Sequence, residues 1–301
     1  VSEALFKISK QQLIQDVKQA IEEKEGFALG KLGFSEQFIL GYLPFLKTNP
    51  SSLQIKAYET LLKYHCEVQT GVFPTNIDFL KEFAQFYTLA AQSMDILGLF
   101  DAEGERRLVH DNDIKAKFIS FQLTEPDRSV PISSDQCYLP FLKNKNILII
   151  SPFAELIKER SHKEVFEAVW SRIEKKWFYP QSTSALEIPY SYGSFKDTHE
   201  KYGTSIQLYK SICAEIDKHE YDVVLLGVGA LGIPLASYIK GKGKVAISLG
   251  GHLQVLFGIN GSRWKKDAYW NTHYFNESWI DLPQKYHPVN KEELTDNSAY
   301  W

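Results

Sequence analysis

Methionine occurs once in 301 residues and cysteine three times. Cys66, Cys137 and Cys213 are odd in number and widely spaced. That argues against a disulfide framework and gives no zinc-ligand spacing, so reduced thiols in a cytoplasmic protein are expected. Excess basic charge is missing as well. Against 34 Lys and Arg stand 37 Asp and Glu, a net charge of -3, with no long basic run. No nucleic-acid partner is therefore expected. Apolar runs stay under about 10 residues, against the roughly 20 a spanning helix needs, so no transmembrane segment is expected. No signal-peptide pattern follows Val1, and the chain ahead of Val1 is left open. Internal repeats and low-complexity tracts are also lacking. Core-forming residues are plentiful: 44% are hydrophobic and 14% aromatic, ample for one large or two modest domains.

Along the chain, residues 9–25 predict a helix. Ser9 and Gln12 make a capping-box pattern, and Leu13, Ile14, Val17, Ala20 and Ile21 share one face. Residues 27–32 predict a short buried strand. Gly33 then turns the chain, and Ser35 is expected to cap a helix from Glu36. Helices are expected over residues 53–67 and 76–93, with a strand in "MDILGLF". Residues 123–136 are polar with two prolines and read as a loop, the best place for an internal boundary if the chain is not one domain over 1–301. Beyond it come the strand "KNILIIS", one helix "FAELIKERSHKEVFEAVWSRIEKK", a weaker strand "LEIPYS", a helix over 203–220, the strand "YDVVLLGVG", the helix "ALGIPLASYIKGKG" and the strand "KVAISLG". This alternation predicts an α/β fold, Rossmann-like, with a mostly parallel sheet, helices on both faces and a helix-rich N-terminal portion.

Gly227, Gly229 and Gly232 form G-x-G-x-x-G between a strand and a helix. Such a turn offers free backbone N–H groups to a phosphate at a helix start. Gly232 suits close helix–sheet packing, and Pro234 sits early in the helix, where its missing N–H does little harm. A tight turn without ligand is the plain alternative. A nicotinamide dinucleotide would demand an acid near the end of the next strand. That strand ends in Ser248, Leu249, Gly250 and Gly251, with no acid before Asp267. The dinucleotide oxidoreductase is thereby disfavoured.

The segment "DVVLLGVGALGIPLASYIKGKGKVAISLGGHLQVLFGINGSRW", with "NILIISPFAELIKER" and the closing "FNESWIDLP…DNSAYW", resembles bacterial polysaccharide-biosynthesis proteins related to GT-D-type glycosyltransferases. "GKLGFSEQ" resembles their Arg-x-Gly-Asp-Gly-Glu-like loop, keeping Gly33 and Glu36 but carrying Lys31 and Phe34-Ser35 where the pattern differs. The resemblance covers the C-terminal half and, ahead of it, only this loop. It implies transfer from a nucleotide-diphosphate sugar donor to a glycan or lipid-linked acceptor, in the cytoplasm or at the inner face of the membrane. It also implies a divalent metal held by an Asp-x-Glu run. Here Leu253-Gln254-Val255 follows His252, so those acids are absent and no metal ligand is assigned. A non-catalytic relative, binding nucleotide or sugar within a glycan-assembly complex, is the alternative. A homo-oligomer is left open.

Such a transfer needs a stabilised diphosphate, a held sugar and a deprotonated hydroxyl. Cations and aimed N–H groups can serve the first need. Lys31, the 227–232 turn, Ser151 and Arg263 are the candidates, with Gly33, Ser35, Gly250 and Gly251 lining the same turns. Lys31 and Arg263 read equally well as solvated surface charges. Glu36 and His252 are the candidate catalytic residues. A helix dipole favours an ionised Glu36, and a neutral His252 could bind phosphate or act as base. Ordinary helix-start and structural roles are their alternatives. Trp264, Tyr269, Trp270 and Trp279 could stack on a sugar but read better as core or interface. Glu277 is a second carboxylate candidate. His65, His110 and His162 show no partner spacing and read as incidental.

Overall fold

Seven parallel strands run through the centre of the computed structural model, which describes residues 8–100, 103–125, 137–173, 178–288, 294 and 299–301. In chain order they are β1 (Phe27–Lys31), β2 (Ile96–Leu99), β3 (Lys117–Ser120), β4 (Asn146–Ser151), β5 (Ser182–Glu187), β6 (Val223–Leu226) and β7 (Val245–Ser248). Across the sheet they stand β3-β2-β1-β7-β6-β4-β5, and every neighbouring pair is parallel. Strands from both sides of residues 126–136 thus share one sheet. That segment, where a boundary was expected, lies outside the described residues.

The helices are α1 (Lys10–Glu23), α2 (Phe34–Lys47), α3 (Ser52–Tyr64), α4 (Ile77–Gln92), α5 (Glu103–Asp111), α6 (Ala154–Arg160), α7 (Lys163–Val169), α8 (Lys196–Tyr202), α9 (Ser205–Ile216), α10 (Gly232–Gly241), α11 (His252–Leu256), α12 (Ser262–Lys265) and α13 (Ala268–His273). None of the described helices is long and apolar enough to cross a membrane. A short parallel pair, β8 (Ile259–Asn260) and β9 (Ile280–Asp281), ties the last helices together.

Both sheet faces are covered, which is why the strand sequences are continuously apolar. Successive side chains point to opposite faces. Ile147, Ile149, Val223 and Leu225 join one core with α1, α6 and α7. Leu148, Ile150, Val224 and Leu226 join the other with α2, α4, α9 and α10. Gly232, third of the glycine motif, lets α10 lie on the sheet: an added methyl would stand 2.6 Å from Ser248 Oγ on β7.

Several local expectations need correction. The long helix after β4 is broken at Ser161 and His162. The Ser161 hydroxyl bonds back to the Lys158 carbonyl, and His162 is extended, so α7 starts afresh. Residues 174–177, its expected tail, lie outside the described residues. The strand expected at "LEIPYS" begins at Ser182 and ends before Pro189, which has no N–H for a ladder. The helix expected over 203–220 starts only at Ser205. Gly203 is left-handed at φ 70°, Thr204 caps α9, and α8 precedes it. The capping box of α1 is half made. Ser9 Oγ accepts from the Gln12 amide, whereas the Gln12 side chain turns to Asp16. After α3 the chain continues as a π-helical turn, His65–Thr70, ended by Gly71.

Leu225 lies fully buried on β6, a strand paired on both sides. Leu225→Ala should lower unfolding stability by about 3 kcal/mol in urea titration.

Candidate functional site

A cavity of about 430 Å³ opens where the carboxyl ends of the strands meet. Loops there are free of ladder bonds, and ligands of open α/β sheets gather at this edge. Its wall takes Lys31 from the end of β1 and Glu36 from beyond it, Glu125 from beyond β3, Ser151 from β4, Tyr190 and Tyr192 from beyond β5, Val228 and Gly229 from beyond β6, and Gly250, Gly251 and His252 from beyond β7. Gly33, Ser35, Gly227, Arg263 and Trp264 also line it. The early carboxylate, the late imidazole and the glycine turn therefore share one cavity.

Two expected residues do not. Gly232 is absent from the wall because it faces β7 within the core. Glu277 is exposed beside β9 and away from the cavity. Trp270 and Trp279 belong to the core and Tyr269 is exposed, so the aromatic tail forms no sugar wall apart from Trp264.

Lys31 is the last residue of β1, and its Nζ lies 2.7 Å from Glu125 Oε1 and 4.1 Å from the Phe121 ring centre. Glu125 Oε2 lies 3.5 Å from His252 Nδ1. The side chains are 6%, 3% and 2% exposed, so the Lys31–Glu125 pair lies out of water with the imidazole packed beside it. Lys10 Nζ donates to the Glu125 carbonyl at 3.0 Å. His252 is therefore a buried partner of Glu125, where an accessible base was expected. Lys31 is a buried clamp, where a solvated charge was the alternative. Glu125 escaped the sequence reading because it sits in the polar tract taken for a boundary. It follows the short 3₁₀ turn after β3, and an acid just past a strand end was the available signal.

Gly33, with no side-chain cap, is the N-cap of α2, and the expected cap Ser35 is already helical. The Ser35 hydroxyl lies 3.0 Å from His65 Nδ1, a partner that the sequence spacing did not indicate. Burial lowers the pKa of that imidazole. Glu36 folds back over Gly33, where an added methyl would overlap its carboxyl. Burial raises the Glu36 pKa and outweighs the opposing bond from its own backbone. The expectation of an acid held ionised by the helix dipole is thereby corrected.

Backbone donors define another part of the wall. Gly227 N–H donates to Ile150 and Gly250 N–H to Leu226. Among the described residues no acceptor meets the amides of Val228, Gly229 or Gly251. Gly229 is left-handed at φ 55°, and a methyl there would come to 3.1 Å from the Thr70 carbonyl. Tyr190, Tyr192 and Trp301 form an aromatic group with centres 6.0 to 6.1 Å apart. Trp301 Nε1 donates to the Tyr190 hydroxyl at 3.3 Å. Arg263 is exposed, with its guanidinium 5.1 Å from the Tyr300 ring centre.

Among the described residues no group of three or more His, Cys, Asp or Glu side chains could hold a metal ion. The described residues do not fit a carboxylate-bound divalent cation; Glu125 carries the Lys31 ammonium at 2.7 Å. Cys66, Cys137 and Cys213 are free and buried. Compared with known proteins, the chain matches no family model, no curated protein and no solved structure.

The folded protein favours the protonated Glu36 carboxyl. Stability from this group is whole below the ordinary value of 4.5 and is lost as pH rises through the raised folded value. Glu36→Gln should therefore melt higher than the parent at neutral pH, with the gain fading as pH falls below 4.5; thermal scans across pH read it. Lys31→Met leaves the Glu125 carboxylate without its closest cation and should cost about 3 kcal/mol in urea unfolding.

Proposed function

We propose that the cavity binds a nucleotide-diphosphate sugar and transfers its sugar to a hydroxyl of a glycan or lipid-linked acceptor. The observation that carries this reading is the convergence of three features: amides without acceptors at Val228, Gly229 and Gly251, an acid of raised pKa at Glu36, and an aromatic group at Tyr190, Tyr192 and Trp301. Aimed backbone amides suit the diphosphate, and they cost no reorganisation as its charge develops. Arg263 adds positive charge from the mouth. An aromatic face suits a nucleobase or the apolar face of a pyranose.

In the transfer, the acceptor oxygen bonds to the anomeric carbon while the bond from that carbon to the diphosphate oxygen breaks. The electron pair leaves with the diphosphate, and the acceptor proton passes to the Glu36 carboxylate. A raised pKa makes this carboxylate a better base than an ordinary glutamate. Glu125 acts as a positioning residue: it holds Lys31 at the cavity wall, with His252 packed on its far oxygen. No step is routed through a metal.

A non-catalytic binding subunit is the second reading. The engagement of Glu125 favours it, because Glu36 is then the sole carboxyl among the described cavity residues without an ion pair. The nicotinamide reading has no support at the end of β7, where Ser248 is followed by Leu249, Gly250 and Gly251.

Calorimetry with UDP, GDP, CDP, dTDP and their sugars tests the site. At least one should bind, and Gly229→Ala should weaken it at least about tenfold, or about 1.4 kcal/mol. Binding by none of them refutes both glycan readings. Binding without hydrolysis or transfer of any donor leaves the second.

A further inference from the structure

Helix α3 is attached to the protein by little of its surface. Leu62 is its one buried residue, with Ile55, Tyr58 and Glu59 half-buried beside it. The opposite side carries Leu53, Ala57, Leu61 and Tyr64, all exposed. Their spacing of four, four and three residues puts them on one stripe. Leu53 is 76% exposed, Leu61 50% and Tyr64 52%. Lys56 and Lys63, two turns apart, flank the stripe on a single side and are exposed. The one acid of α3, Glu59, accepts from the buried Tyr42 hydroxyl at 2.6 Å and leaves the outer face without negative charge. Lys47, at the end of α2, adds a further exposed cation.

The stripe continues to the cavity. The Tyr64 and His65 rings are 5.5 Å apart, and His65 and Phe34 are 5.7 Å apart. Phe34 is 63% exposed and lines the cavity mouth.

We infer that the outer face of α3 seats on an anionic lipid bilayer, with the cavity mouth at the headgroup level. An amphipathic helix lying in that interface buries its apolar stripe among the acyl chains while its lysines meet anionic headgroups. The lysine flank and the inward-turned Glu59 give the charge match. A second copy of this chain fits less well. A stable protein interface takes about 800 Å² from each partner, and the stripe is a single helix face. The inference rests on the proposed transfer in one respect: an acceptor carried on a lipid would then reach Glu36 along the membrane surface.

Sedimentation of the full chain with vesicles tests it. The parent should sediment with phosphatidylcholine vesicles holding about one-third phosphatidylglycerol and remain free with phosphatidylcholine alone. The double variant Leu53→Ser, Leu61→Ser should lose at least about fivefold in partitioning, and so should Lys56→Glu, Lys63→Glu. These positions are exposed, so circular dichroism should show both variants folded. A parent that stays free of anionic vesicles overturns the inference. So do variants that partition like the parent, and so does a dimer that the serine variant converts to monomer without any vesicle binding. Nucleotide calorimetry on the same variants should match the parent. Vesicle binding without nucleotide binding defeats the transfer and keeps the surface; the reverse result defeats the surface alone.

Discussion

One carboxylate shared by a lysine and a histidine, all three inside the protein, fixes the geometry of the cavity wall. Lys31 closes β1, Glu125 follows β3, and His252 opens α11 after β7. Removing the Lys31 and Glu125 charges from water costs several kcal/mol for each ion, and only mutual attraction with good geometry offsets that. The arrangement is therefore intolerant of drift. If the 3₁₀ turn after β3 moved by an ångström or two, the contacts of Glu125 with Lys31 and His252 would both be lost. Lys10 Nζ, bonded to the Glu125 carbonyl, draws α1 into the same arrangement. The most polar part of the interior thus orders loops at the carboxyl edge, where the backbone ladder supplies no order of its own.

The sheet was legible in the sequence because its physics is local. "NILIIS" and "VVLL" are buried on both faces and so read as unbroken apolar runs, and glycine or proline marks their ends. The break between α6 and α7 was not legible. It comes from Arg160 reaching the carbonyls of Phe257 and Ser278, together with the Ser161 hydroxyl bonding back to its own helix. Neither partner carbonyl is near in sequence. The same limit applied at the site. Glycine spacing pointed to the 227–232 turn, since a phosphate-ready turn is written in a few consecutive residues. Glu125 and the Ser35–His65 contact are relations between distant segments, and no periodicity reports them. Glu277 shows the converse limit, a residue type suited to sugar binding that the fold places outside the cavity, whereas Trp270 and Trp279 take the core positions that their bulk favours.

The three glycines of the motif do three different things, though spacing presents them as one unit. Gly227 continues the sheet by donating to Ile150. Gly229 lines the cavity in a left-handed conformation that a larger residue resists. Gly232 permits contact between α10 and Ser248. Gly227 and Gly229 line the cavity and Gly232 does not. An acid after β7 would have brought a ribose partner into this space. The chain places Gly250 and Gly251 there, and the ring of Tyr300 packs so close to Gly251 that a methyl would overlap it. The space belonging to a dinucleotide's ribose acid is filled by backbone and an aromatic ring.

Glu36 shows how magnitudes decide between two forces acting on one group. A carboxylate in the first turn of a helix gains about 0.3 to 1 kcal/mol from the dipole when exposed. Taking an unpaired carboxylate out of water costs several times as much. At the cavity wall the second effect wins, so the proton is held more tightly than on an ordinary glutamate. The same negative charge, when present, pushes up the Cys66 thiol and the Tyr87 hydroxyl nearby, adding to the effect of their burial. Lys31, on the same cavity wall, is paired with Glu125 at 2.7 Å. The two carboxylates line one cavity with unequal proton affinity because one has a buried cation beside it, and Glu36 is left with its own helix.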